Sequence, residues 1–559
     1  MDDMRAPTST ELPSEDTSVA IAAVAVRRAG VLAVGDLLRV QAMRTPNAPA
    51  VTEGQRTLSY EAFNRRVNRT AHMLRTLGVT HGARVAILSE NRTEYVELEF
   101  ACAKIGAIAC ALNWRLADPE LAHCIRLVAP ALVVVSPRFG SALERIDQSV
   151  SGVLSLGANY ESALAAVPAT EPDCDVDPED GLLVLYTSGT TGLPKGALIS
   201  HRAEVARMHV AREECALAPG DGFIAWAPMF HMASSDQMIA CLCTGAHVFV
   251  VDGFDLDKIL PLVAQHRLWW LLVLPGTVDR FCAAIVASGI TPRGIKRIGA
   301  MADLVPPQQI AEITALLQAP FGNTFGATET GLPPASAGLL PVGQIPASLA
   351  KTVKALCEIR LVDANDHDVP DGEPGELVIR GPTLFSGYWN APQATAQDFR
   401  GGWFHMGDVF RRHPDRTLSF ADRVKYLIKT GGENVYPVEI ERVLLADPRV
   451  TEAVVVRRPD PQWGEVPIAF VARSDDTLTA DALLALCRGQ LAGYKRPKEI
   501  HFVPFDQFPR STTGRVQRGE VERWLRCTKR VFTCESSASA YAGGPAQLAA
   551  GLAWPVQWG

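Results

Sequence analysis

One segment constrains this chain more than any other: residues 181–200, GLLVLYTSGTTGLPKGALIS. An apolar strand over residues 182–186 runs into ten residues, 187–196, and a second apolar strand leaves over residues 197–199. A hairpin connection takes roughly two to five residues, so a solvated turn does not account for the length. Gly189, Gly192 and Gly196 let backbone N–H groups converge on one point. The hydroxyls of Thr187, Ser188, Thr190 and Thr191 and the ammonium of Lys195 surround it. Short donors, one mobile cation and little side-chain bulk are what a polyphosphate needs. The loop is not a Walker A loop, because the glycine spacing differs and no Ser or Thr follows Lys195.

The surrounding sequence alternates strands with helices. Residues 84–88 (RVAIL) read as a strand, and Asn91 with Glu94 reads as a capping box opening a helix that Gly106 stops. Residues 108–112 form the next strand, Asp118 with Pro119 caps a second helix, and residues 131–135 follow as a third strand. Such alternation predicts a parallel sheet covered by helices. Turn-rich stretches at 341–346 and 363–375 predict a more β-rich subdomain. Beyond about residue 425 a smaller α/β unit is legible: strands at 453–456, 467–471 and 499–503, and a helix capped by Thr479 and running to Leu491. The expected fold is therefore α/β. A flexible arm (1–30) precedes a large domain of helix-covered sheets with its β-rich subdomain (31–424). A small, mobile α/β domain (425–530) and a flexible tail (531–559) follow.

Charge and cysteine content narrow the function. The chain has 54 basic and 61 acidic residues among 559, a net charge of −7, which argues against a nucleic-acid surface. Its most apolar run, at 268–275, is far short of the roughly 20 residues that cross a bilayer. The 12 cysteines form no CxxC pair, so reduced, buried thiols and a cytoplasmic location are expected and a zinc site is not.

The loop TSGTTGLPKG also resembles the signature of the acyl-adenylate-forming enzymes, acyl- and aryl-CoA ligases among them. Further likenesses occur in order. They are Asn323-Thr324-Phe325-Gly326-Ala327-Thr328-Glu329-Thr330, GWFHMGD ending at Asp408, Asp422-Arg423-Val424-Lys425, and Gly431-Gly432-Glu433-Asn434-Val435-Tyr436-Pro437. Together they span roughly residues 31–526. The resemblance implies that a carboxylate attacks the α-phosphorus of ATP, pyrophosphate leaves, and coenzyme A then takes the acyl group from acyl-AMP. That chemistry needs charge neutralisation and positioning more than a general base.

Roles follow residue by residue from the resemblance. Thr187, Ser188, Gly189, Thr190, Thr191, Gly192 and Lys195 would cradle the phosphates. Glu329 would anchor Mg2+, a hard cation that prefers oxygen. Thr328 would touch the α-phosphate, within a nucleotide segment that includes Asn323 and Thr324. Phe325, where the family often has Tyr, would stack on adenine. Gly299, Ala300 and Met301 would line adenine and the acyl group, Asp408 would hold the ribose hydroxyls, and Arg423 would also reach the nucleotide. Lys425 matches the hinge about which the small domain swings; Tyr426 beside it stands where Asp is frequent. Gly431 and Gly432 would leave room for pantetheine. Trp463, Tyr494 and Arg496 resemble the CoA surface of chlorobenzoate-CoA-type ligases. His231 matches the histidine near the substrate carboxylate, and Ser234 and Ser235, where relatives often carry glycine, suggest an acyl pocket with some polarity or a shorter one.

Arg515, in PRSTTGRVQR, stands where the family has lysine bridging the substrate carboxylate and the α-phosphate. Arginine keeps the charge with a wider, planar fork. The leading expectation is an ATP- and Mg2+-dependent acyl-CoA or aryl-CoA ligase acting on a fatty, cyclic or aromatic acid. A nitrogen nucleophile as acceptor, or a non-catalytic nucleotide-binding homologue, are the alternatives. Oligomeric state is open, a homodimer being one option.

Overall fold

The computed structural model describes residues 32–146, 152–187, 193–430, 433–511, 514 and 516–527. The arm and tail expected at either end lie outside the described residues, as do residues 188–192, Gly431, Gly432 and Arg515.

Two sheets carry the large unit. A seven-stranded sheet runs in the order Gly387–Tyr388, Lys195–Ser200, Gly181–Thr187, Ile108–Ala111, Arg84–Leu88, Leu132–Val135 and Val153–Ser155. From Gly181–Thr187 onward its neighbours are parallel. An eight-stranded sheet is parallel from Phe321–Gly322 through Ile295–Ile298, Leu268–Leu271, Gly222–Ala225 and His247–Val250 to Pro49–Glu53. Strands covered on both faces need not alternate polar and apolar residues, and Leu132–Val135 (LVVV) is buried throughout. The helix Thr93–Ile105 packs against strands of both sheets, and all its residues are buried, Glu94, Glu97, Glu99 and Lys104 included.

Two local readings are corrected. Asn91 does not cap that helix: Arg92 stands at the N-cap, and the Thr93 N–H donates to Glu53 Oε2 at 2.9 Å. Asn91 instead ties the sheets together. Its amide donates to the carbonyls of Ala225, Ala227 and Val251 at 2.8–3.0 Å, and its oxygen accepts the Met229 N–H at 2.9 Å. Asp118 is the first helical residue, and the N-cap is Ala117, whose N–H donates to Glu120 Oε2.

A four-stranded antiparallel sheet follows: Glu358–Val362, Pro374–Arg380, Phe404–Arg412 and Leu418–Arg423. The last unit builds a five-stranded sheet around the pair Val450–Asp460 and Gly464–Arg473. Alternate residues of this pair feed two separate cores. Val455, Ala469 and Val471 pack with helices Pro437–Leu445 and Ala480–Gln490, while Val454, Val456, Ile468 and Phe470 pack with Val521 and Trp524 of Arg518–Cys527. Among the described residues no helix is long and apolar enough to cross a membrane.

Candidate active site

The strand Gly181–Thr187 ends where Lys195–Ser200 begins, with Thr187 paired to Lys195. The glycine-rich loop is therefore the connection of an antiparallel pair, and its lysine is fixed at the start of a strand. The Lys195 ammonium lies 3.7 Å from the centre of the Tyr388 ring and 3.4 Å from Asp398 Oδ2. A cation over a phenol face is held electrostatically while keeping its charge for an anion. Tyr388 then donates its hydroxyl to Glu329 Oε1 at 3.1 Å. Burial, followed by the charges of Glu329 and Asp398, pushes the phenol far above its usual range, so it stays a donor.

Glu329 is thus joined to Lys195 through one aromatic ring. Burial raises its carboxyl above the ordinary range, opposed by a backbone hydrogen bond, Tyr388, Lys195 and Arg423. A buried acid of this kind gains from any cation brought beside it. Among the described residues no group of three His, Cys, Asp or Glu could hold a metal ion. A single carboxylate such as Glu329 would suit a magnesium ion whose remaining ligands are phosphate oxygens and waters. Tyr388 and Asp398 are absent from the sequence reading. The aromatic pair inside the turn Gly387-Tyr388-Trp389-Asn390 was their only signal.

The nucleotide segment is held from behind. Asn323 donates to the carbonyls of Leu349 and Ala350, both at 3.0 Å, and accepts from Lys351 Nζ at 2.5 Å, so its amide is spent on the fold. Thr324 Oγ1 accepts the Met301 N–H at 3.0 Å, joining this segment to Gly299, Ala300 and Met301. Gly299 is itself fixed by Trp270 Nε1–H, which donates to its carbonyl at 2.7 Å. Half-buried Phe325 meets Phe410 edge-on at 4.7 Å and Phe420 at 5.7 Å, which sets its ring plane. Thr328 presents its carbonyl to Arg207 Nη2–H at 2.9 Å.

Asp408 and Arg423 face each other across the strands Phe404–Arg412 and Leu418–Arg423, with Arg423 Nε–H donating to Asp408 Oδ1 at 2.9 Å. Asp408 is the first cause of a raised Arg423 pKa. Beyond this pair, the Tyr426 ring carries Lys425 Nζ at 5.0 Å and the Arg518 guanidinium at 4.8 Å. The aromatic residue at this position is therefore held by two cations. Arg518 also pairs with Asp422 at 3.0 Å and Glu441 at 2.7 Å.

His231 caps the helix Met232–Thr244, with its Nδ1 accepting the Ala233 N–H at 3.1 Å. An accepting Nδ1 leaves the proton on Nε2, and burial holds the ring down to about 4, so it is a neutral donor. The two serines are buried and their hydroxyls are engaged within the fold. Ser234 Oγ–H donates to the Ala227 carbonyl at 2.6 Å and Ser235 Oγ–H to Glu99 Oε1 at 3.0 Å. The polarity expected of them serves the helix packing instead.

One contact of the small domain with the large one is made by a loop. Arg510 Nη1–H donates to the Gly514 carbonyl at 2.9 Å and Arg510 Nη2–H to Glu452 at 2.7 Å. Gly514 has φ +79°, and a Cβ there would collide with the Pro275 carbonyl oxygen. The backbone bracketing position 515 is therefore pressed against the end of the strand region 268–275. At the other end of the small domain, Gly464 pairs with Thr430, and the short helix Gly493–Lys495 packs beside Glu433–Val435. Trp463 and Tyr494, 44% and 43% exposed, thus lie in segments that pack beside Thr430 and Glu433–Val435. Lys498 lies 6.0 Å from the Trp463 ring and Lys495 5.8 Å from that of Tyr494. Arg496 donates to the carbonyls of Leu491 and Arg488, binding the end of helix Ala480–Gln490.

Known proteins resemble this chain in sequence and in fold. A family model described as AMP-binding enzyme matches residues 38–389, and one described as AMP-binding enzyme C-terminal domain matches residues 439–515. The chain is 34% identical over 493 residues to an indoleacetate–CoA ligase of Aromatoleum aromaticum, covering 86% of this chain and 95% of that one. It is 34% identical over 491 residues to a feruloyl-CoA synthase of Amycolatopsis sp., covering 86% and 97%. Among solved structures, ATP-bound MatB from Rhodopseudomonas palustris superposes with a TM-score of 0.76 at 26% identity, covering 89% of this chain and all of that one. The amide bond synthetase McbA from Marinactinospora thermotolerans gives 0.75 at 25% identity, covering 88% and 100%.

Proposed function

The chain belongs to the AMP-binding enzyme family, and on that premise we propose which parts of it perform each half of the reaction. It is an AMP-forming acid–thiol ligase: a carboxylic acid is activated as acyl-AMP with release of pyrophosphate, and coenzyme A takes the acyl group. The observation that carries the assignment of roles is the line from Lys195 through Tyr388 to Glu329.

Lys195 and the loop before it neutralise the β- and γ-phosphates. Glu329 anchors magnesium, which when bound spreads charge off the phosphate oxygens. Asp408 holds the ribose, and Phe325 and the 299–301 segment take adenine. Neutral His231, with its proton on Nε2, donates to the acid's carboxylate and so orients it without adding charge. Arg515 supplies the cation between carboxylate and α-phosphate. The small domain then turns about Lys425 and brings Trp463, Tyr494 and the turn at 431–432 to coenzyme A.

The substrate we propose is an aryl or arylalkyl acid, because the relatives at 34% identity are named for indoleacetate and ferulate. The place of action is the cytoplasm. Transfer to an amine in place of coenzyme A is the second reading, favoured by the likeness to an amide bond synthetase. A panel of aryl, arylalkyl and fatty acids, with pyrophosphate release measured with and without CoA, tests both. Aryl acids should give CoA-dependent turnover. Equal turnover of fatty acids would remove the substrate class, and amine-dependent turnover without CoA would replace the acceptor.

A further inference from the structure

Resting on the adenylation reading above, we propose that Arg207 is a positioning residue that aims the backbone of Thr328 and Glu329 at the nucleotide. Arg207 lies on the helix His201–Glu213, which the strand Lys195–Ser200 enters directly. Its side chain is 3% exposed. Nη2–H donates to the Thr328 carbonyl at 2.9 Å, and Nε–H donates to the Thr383 carbonyl at 3.1 Å. Nη1–H donates to Asp236 Oδ2 at 3.0 Å and to Glu204 Oε1 at 3.3 Å.

The two carbonyls lie on either side of Glu329. Thr328 precedes it in the chain. Thr383 opens the stretch in which the Phe385 N–H donates to the Glu329 carbonyl at 2.9 Å and the Ser386 N–H donates to the Leu198 carbonyl at 2.7 Å. One planar group therefore sets both supports of the residue that faces the phosphates. The turn closes tightly over it: Gly331 has φ +73°, and a Cβ there would lie 2.8 Å from Arg207 Cδ and Nε.

Two helices bring acids to this arginine: Glu204 shares its helix, and Asp236 lies on Met232–Thr244, the helix that His231 caps. A buried ion cluster adds little net stability over apolar packing. What it does supply is a guanidinium that cannot rotate, with donors left over for two carbonyls. Arginine alone has a rigid fork able to reach both; lysine is a single point. The same charge also links the helix capped by His231, on the acyl side, to the loop on the phosphate side.

Titration calorimetry of ATP into the full-length chain, with and without MgCl2, tests this. Each variant is paired with a thermal melt. Arg207→Lys should melt cooperatively and bind ATP in EDTA as the wild type does, because Lys195 and Asp408 are untouched. It should lose the magnesium-dependent gain in affinity by about tenfold, the scale of one charge-assisted contact. Gly331→Ala, which leaves every charge in place and pushes the turn off Arg207, should show the same split. Full magnesium-dependent affinity in both variants would overturn the proposal. So would loss of a cooperative melt in both, which would make Arg207 a scaffold residue. If the wild type itself gains nothing from magnesium, the adenylation reading fails instead.

Discussion

Arg442, on the small-domain helix Pro437–Leu445, reaches Asp303 at 3.0 Å, two residues beyond Met301. Asp303 also binds Lys351, which is fully buried and touches Asn323. The small domain is thereby tied by charge to the same network that holds Thr324 and Met301. Gly514, on the same domain, packs against the Pro275 carbonyl in this arrangement, and on the reading proposed above the Arg442–Asp303 pair would belong to the adenylation half of the cycle.

Arg442→Ala should therefore slow adenylation and spare the second half-reaction. A pair 40% exposed on one side contributes up to about 1 kcal/mol, so pyrophosphate exchange should fall about two- to fivefold. Thioester formation from supplied acyl-AMP should hold or rise. Equal loss in both half-reactions would show that Arg442 does not discriminate between poses.

Tyr388→Phe removes the hydrogen bond to Glu329 but keeps the ring under Lys195. Hydrogen bonds to charged groups are worth roughly 1.5–3 kcal/mol, so adenylation should drop about 10- to 100-fold. The magnesium concentration giving half-maximal rate should rise, because the Glu329 carboxyl moves further above its ordinary range. An unchanged magnesium dependence would detach Tyr388 from Glu329's role.

Glu99→Gln should stabilise the fold at mildly alkaline pH. Burial lifts Glu99 to about 8. The native chain then holds a proton that the unfolded chain has lost, so stability falls as pH climbs from the usual carboxylate range of about 4 to about 8. Glutamine cannot ionise and still accepts from Ser235. Urea midpoints measured across that window should decline less in the variant than in the wild type. Parallel declines would contradict the assignment.

Arg515→Lys should preserve or raise adenylate formation, because lysine brings the same charge with less bulk to a tight bridge. Pyrophosphate exchange measures it directly. Complete loss would give the arginine a role of its own.

Much of the fold and part of the site were legible because their signals are local. Residues 84–88 and the Thr479 cap lie where periodicity and turn chemistry put them. The two strands on either side of the glycine- and hydroxyl-rich loop pair as their apolar runs suggest. Asn91 was misread because an Asn before a helix looks the same whether it caps that helix or reaches Ala225, Ala227 and Val251 on another sheet. Ser234 and Ser235 were misread because side-chain direction on a helix depends on its neighbours. Arg207 and Tyr388 were missed for the same reason. Their partners Thr328, Thr383 and Glu329 are remote in sequence, and only packing brings them together.

The most direct measurement follows oxygen. Turnover of a substrate acid labelled with oxygen-18 in its carboxylate, with ATP and CoA, should give AMP carrying one labelled oxygen by mass spectrometry. The carboxylate oxygen bonds to the α-phosphorus and stays there when the thiol takes the acyl carbon. AMP free of label, or ADP as the nucleotide product, would contradict activation of the acid as acyl-AMP.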